Sequence, residues 1–143
     1  MILSIWMRFL IYGMTGWSFE IVFTGIKHLI RSHFRDWSLF GKSYIWMLPI
    51  YGLAAFLFEP VHDALRSYEW PLRGIVYTAG FFTVEFFTGW SLKLLTGSCT
   101  WDYANKTRYH VKGFIRWDYA PIWFGFCFVL EQIHDLLLRV RIV

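Results

Sequence analysis

Charge is scarce in this chain. Asp, Glu, Lys and Arg make up 17% of the 143 residues, where a soluble domain carries close to 25%. Cysteine is nearly absent: Cys99 and Cys127 are too few for a disulfide framework. No Gly-x-x-x-x-Gly-Lys-Ser/Thr phosphate loop occurs, which excludes ATP hydrolysis by that route. No nucleic-acid motif is present, and the basic residues are scattered near segment ends rather than collected in one run. Nucleic acid is therefore not an expected partner. The N-terminal MILSIWMRFLIYGMTGWSFE lacks a basic n-region and a small-residue cleavage site, so it reads as a retained helix.

What fills the chain instead is apolar and aromatic. Apolar residues reach 57% and aromatics 22%, with nine Trp and a mean hydropathy of +0.41. A core of this size cannot hide so much ring surface from water, because a globule already shows ~55–60% apolar surface. Trp and Tyr also favour the membrane–water interface. An integral membrane protein is expected, with the lipid bilayer as its first partner.

A span needs roughly 20 mostly apolar residues. Four stretches qualify: near 5–26, near 45–65, from about Pro71 to Leu95, and near 117–138. These segments are apolar on all faces, whereas a surface helix of a soluble bundle needs a polar face. Four spans place Arg8, Arg66, Arg73, Arg139 and Arg141 on one side and the more basic long loops on the other. Positive-inside then predicts cytoplasmic long loops and both termini outside.

The chain also echoes itself. PIYGLAAFLFEPVHD (49–63) lies over PIWFGFCFVLEQIHD (121–135) without gaps, aligning Pro, Ile, Phe, Glu, His and Asp. Glu20 aligns with Glu85, Trp37 with Trp101 and Lys42 with Lys106. The expected fold is all-α: one transmembrane domain over 1–143, a four-helix bundle of two tandem helical hairpins, about 5–66 and about 71–139. A hairpin has an even number of spans, so the copies form a parallel repeat. A site is expected where equivalent helices face each other.

The polar residues within the spans are few and patterned. They are Glu20, then Glu59-x-x-His62-Asp63, then Glu85, then Glu131-x-x-His134-Asp135. A charge at mid-membrane costs at least ~2.5–3.5 kcal/mol, so these acids should pair, bind something or stay protonated. Glu on the first and third helices with Glu-x-x-His on the second and fourth is also the ligand order of di-metal carboxylate bundles. That reading would use Glu20, Glu59, His62, Glu85, Glu131 and His134 to hold iron or manganese. Depth opposes it: Glu20 and Glu85 lie toward the long-loop side, Glu59 and Glu131 toward the other, with levels ~10 Å apart at 1.5 Å per residue. Pro60 should kink its helix. Gly13, Gly16, Gly80 and Gly89 are expected at close helix approaches. Trp101-Asp102-Tyr103 and Trp117-Asp118-Tyr119 bracket the second long loop as interfacial anchors or a lid, with Asp102 or Asp118 capping a local helix. Lys93 is expected to snorkel to the headgroups.

The stretches GWSFEIVFTG (16–25), PIYG (49–52), TVEFFTGWSLKLL (83–95), TWDY (100–103), the Gly113 segment and Ala120-Pro121-Ile122-Trp123 carry a resemblance. With them the chain resembles the TMEM229 family and the related bacterial proteins labelled ABC-transporter permeases of the CmpB type. The resemblance implies a small multi-pass membrane protein and supplies no catalytic residues. The His of each Glu-x-x-His lies outside the family's pattern.

The leading expectation is a transport-associated or ion- or small-ligand-binding membrane component, acting as a homo-oligomer or within a larger membrane complex. Glu20 and Glu85 would bind a cation or proton, and the Glu-x-x-His-Asp segments would form a mouth. A di-metal oxidoreductase and a structural or assembly subunit are the alternatives; the reading leans away from an enzyme.

Overall fold

The computed structural model describes residues 3–140 and is dominated by helix. Helix α1 runs Ile5–Arg31, α2 Met47–Gly52, α3 Ala54–Leu65, α4 Trp70–Thr96 and α5 Ala120–Arg139. A two-stranded antiparallel ribbon, β1 His110–Val111 and β2 Ile115–Arg116, and a 3-10 turn at Trp117–Tyr119 lie between α4 and α5.

Local chemistry sets the ends. The Ser4 hydroxyl caps α1 by accepting from Met7 N at 3.3 Å, satisfying one orphan donor of the first turn. Pro71 sits in the first turn of α4, where its missing N–H costs nothing. Gly97, at φ +80°, stops α4 in the left-handed region, its N–H bonding Lys93 O. The second expected span is divided. At Leu53 the N–H is shared between Pro49 O and Ile50 O, and Phe56 N bonds Leu53 O, so one tightened turn separates α2 from α3. Pro60 lies inside α3, which continues to Leu65.

The chain forms two compact units, one running through Glu59 and the other Pro60–Arg139. The division falls at the proline, earlier than the connection at 66–71 where the two repeats were expected to part. In the first unit, α1 packs along α2. A Cβ on Gly13 would stand 2.7 Å from Leu48 O, and Gly16 lies directly under the Tyr51 ring. Phe9 lies on Gly52, and Trp6, Phe9 and Phe56 form a ring cluster. In the second unit α4 packs along α5. Gly74 receives Phe124, and Phe81 stacks on Trp123 with centroids 4.8 Å apart. Gly89 seats Cys99, Trp101 and Phe114 of the following loop. Gly80 differs from the expectation, since nothing lies within 4 Å of a Cβ placed there.

Among the described residues, two helical segments are long and apolar enough to cross a membrane: Ile5–Arg31 and Trp117–Arg139. Four were expected. Helix α4 matches α1 in length but carries Arg73, Glu85 and Lys93, and the remaining stretch is split into α2 and α3. Much of the apolar surface faces outward: on α1, Trp6, Leu10, Val22, Ile26 and Ile30 are each about half exposed or more. Apolar patches of that kind mark a protein or lipid contact surface.

Candidate functional site

Every acid singled out in the sequence has a defined setting. In the first unit, Arg8 near the start of α1 reaches Glu59 of α3, Nη2 to Oε2 at 3.3 Å, with Glu59 buried. Twelve residues further along α1, Glu20 accepts from the Tyr51 hydroxyl at 3.3 Å. The second unit repeats this arrangement. Arg73, near the start of α4, grips Glu131 of α5 with two bonds, Nε to Oε1 at 2.8 Å and Nη2 to Oε2 at 3.1 Å. Twelve residues further along α4, Glu85 accepts from the Tyr103 hydroxyl at 3.3 Å. Twelve helical residues span ~18 Å. The arginine-held and tyrosine-held acids therefore lie at separate levels within each unit, in the order the depth argument gave.

The densest polar cluster lies in the second unit, where the last turns of α3 meet α4 and α5. Tyr77 Oη donates to Glu131 Oε1 at 2.9 Å. His62 Nδ1 lies 2.9 Å from the same hydroxyl. Because that hydroxyl's hydrogen points to Glu131, its oxygen accepts and Nδ1 carries the imidazole proton. His62 Nε2 is then a lone-pair acceptor, and Arg66 Nη2 donates to it from 3.2 Å. The same Nη2 donates to Asp135 Oδ1 at 2.6 Å. His134 Nε2 lies 3.2 Å from Asp63 Oδ1. The two imidazoles meet edge to face with centroids 5.3 Å apart, and both are buried. His62, Asp63, Glu131, His134 and Asp135 thus come together. Glu85 stands at the far end of α4 under the second loop.

The residues missed by the sequence reading are the cations and hydroxyls that hold the acids. Arg8 and Arg73 were counted as topology-setting charges, yet they are mostly buried partners of Glu59 and Glu131. A signal existed. Arg8, Tyr12 and Glu20 have the spacing of Arg73, Tyr77 and Glu85, so the basic residue belongs to the pattern with the acid.

The second loop is ordered around Trp101. Its ring is buried, not spread along an interface, and its Nε1 donates to Phe114 O at 3.2 Å. Lys112 and Gly113 take left-handed φ in the ribbon turn, bringing Gly113 O to Tyr103 N at 2.8 Å. Asp102 accepts from Ala104 N at 2.8 Å, closing an Asx turn instead of capping a helix. Arg116 pairs with Asp118 and stacks on Tyr119 at 4.3 Å; Asp118 raises the Arg116 pKa. Lys93 lies over the Phe114 ring at 5.7 Å, a cation–π contact with the loop. Burial pushes the Cys99 thiol up. In the first loop, the His28 hydrogen bond at 2.7 Å and the Ser38 N–H hold Asp36 down at about 2.

The described chain is mostly helical, with two segments long and apolar enough to cross a bilayer and arginine–carboxylate pairs between its helices. The chain belongs to the family described as Putative ABC-transporter type IV, whose model matches residues 7–142. No solved structure matches it.

Proposed function

We propose that this chain is a multi-pass membrane component of a transport system, with an acidic site that takes up an ion or small ligand. The observation that carries this reading is the chain of hydrogen bonds from half-exposed Arg66 through buried His62, Tyr77 and Glu131 to Arg73 among otherwise apolar helices. Ionisable groups at such positions are costly to bury and typically mark ion or substrate paths. The family supports the transport context. Glu20 and Glu85, held by tyrosine hydroxyls, are the mid-helix acids of this proposal. Within its own unit, each is accompanied by an arginine-held acid, Glu59 with Arg8 and Glu131 with Arg73.

Four spans in two tandem hairpins belong to the same proposal, as do cytoplasmic long loops and the TMEM229 relationship. The support for two copies is the matching register of contacts in each unit. Phe9 on Gly52 corresponds to Gly74 under Phe124, with ring and glycine exchanged across the helix pair. Gly16 under Tyr51 corresponds to Phe81 on Trp123. A larger membrane complex or a homo-oligomer would cover the apolar faces left outside. The di-metal alternative fares less well, because Arg73 occupies both Glu131 oxygens and Glu85 lies a long way down α4 from them.

Thermal stabilisation tests the proposal. Detergent-purified protein is titrated with protons and with monovalent and divalent cations. An ion that binds the folded form raises its melting temperature. The rise should shrink in the Glu20→Gln/Glu85→Gln double variant; equal rises in both proteins would count against an acidic binding site.

A further inference from the structure

His62-Asp63 and His134-Asp135 are the same dipeptide in corresponding positions of α3 and α5, and in the second unit they cross-pair. His134 Nε2 lies 3.2 Å from Asp63 Oδ1, while His62 Nε2 lies 3.9 Å from Asp135 Oδ1. Neighbouring residues on one helix point about 100° apart, so neither dipeptide could encircle a ligand alone. Facing each other, they bring two imidazole nitrogens and the Asp63 carboxylate together, with the Asp135 carboxylate beside His62. The ligand atoms of His62, Asp63 and His134 all fall within 4.8 Å of one another.

We infer that His62, Asp63 and His134, with Asp135 beside them, form a binding site for a divalent transition-metal ion of the zinc class, in which the Arg66 guanidinium is the resident, exchangeable cation. Nitrogen and oxygen ligands on such an ion at 2.0–2.1 Å stand about 3.4 Å apart in a tetrahedron. The two cross-pairs, 3.2 and 3.9 Å, bracket that edge. Arg66 Nη2 lies where the ion would: 2.6 Å from Asp135 Oδ1, 3.2 Å from His62 Nε2 and 3.7 Å from Asp63 Oδ1. The place already holds a positive charge.

Two further features suit the ion. The Tyr77 hydroxyl accepts a hydrogen bond from His62 Nδ1 and donates one to Glu131, which Arg73 anchors. Such outer contacts fix the tautomer in which the Nε2 lone pair faces the cluster. His62 and Asp63 also lie in the last turn of α3, where the helix dipole favours cations. One guanidinium balances one of the two carboxylates, while a divalent ion balances both. Arg66 is half exposed and can swing to solvent. His134 would then carry its proton on Nδ1. The leucine at position 138 matches Arg66 in the other copy, so a single arginine guards the site.

The inference deepens the proposed ion-binding role, yet binding can be read without any transport. Co2+ and Zn2+ are titrated into the full-length protein in detergent, following the visible Co2+ spectrum and heat. One Co2+ per chain is expected, with a tetrahedral spectrum. Arg66→Ala should tighten binding at least about tenfold, and the conservative Asp63→Asn, at a half-exposed residue, should weaken it about 10–100-fold. Co2+ affinity that is unchanged in both Arg66→Ala and Asp63→Asn would overturn the site, as would the lack of saturable binding in wild type and Arg66→Ala alike. Metal binding without cation flux would leave the site standing and sink the transport reading; flux without metal binding would do the reverse.

Discussion

Arg73 and Glu131 show what a single residue carries here. The carboxylate is buried and receives two bonds from the guanidinium and a third from Tyr77. Removing one partner of such a pair strands the other charge, at a cost of about 3–5 kcal/mol. Arg73→Ala should therefore lose that much stability in a denaturant titration, and Arg73→Met/Glu131→Met should recover most of it. A double variant as unstable as Arg73→Ala would mean the network, not the pair, is the unit. Asp36 is the opposite case, fully on the surface. With its carboxyl lowered to about 2, the folded state favours the ionised form. The loop contact with His28 is thus complete above the usual carboxylate value of about 3.9 and is lost as pH falls through the lowered one. Carboxyl-carbon NMR should show Asp36 titrating last among the acids of the exposed loops. A midpoint at the usual value would show that the His28 contact does not form.

At the scale of elements, glycine and ring exchange places. Gly74→Ala should cost about 1–3 kcal/mol, because the new methyl enters the Phe124 ring. Exchanging both partners, Gly74→Phe with Phe124→Gly, reproduces the Phe9–Gly52 arrangement and should be tolerated better than either change alone. Gly80→Ala meets open space inside a helix and should stabilise α4 by up to about 1 kcal/mol. Denaturant titration of the set checks all three. The sequence showed part of this. Its Glu-x-x-His-Asp duplication singled out His62, Asp63, His134 and Asp135, which pair in the second unit, because identical polar residues in apolar helices are visible against their background. The break at Leu53 left no such mark. Pro60 was expected to kink its helix and lies inside α3, while the tightened turn at Leu53 arises from backbone bonding that no side chain announces. Arg8 and Arg73 stayed hidden because a lone arginine near a helix start reads equally as a membrane anchor. Only their burial against Glu59 and Glu131 separates the two roles.

For the whole molecule, the apolar outward faces of α1 and α5 and the two crossing-competent segments support a bilayer setting. With four spans, the loops after α1 and α4 share one side and the α3–α4 turn takes the other. On a cysteine-free background, Ser38→Cys and Asn105→Cys should be labelled by an impermeant thiol reagent from the cytoplasm, and Ser67→Cys only from outside. Labelling of Ser38→Cys and Asn105→Cys from opposite sides would break the parallel arrangement of the two halves. The central claim is that the intramembrane acids move or bind an ion and do more than tie helices together. Cation and proton flux in proteoliposomes, comparing wild type with a Glu85→Gln variant of matched stability, tests it most directly. Flux above the empty-liposome background is expected in wild type and should be lost in the variant. Equal flux in the two proteins, or none above background in either, would contradict it.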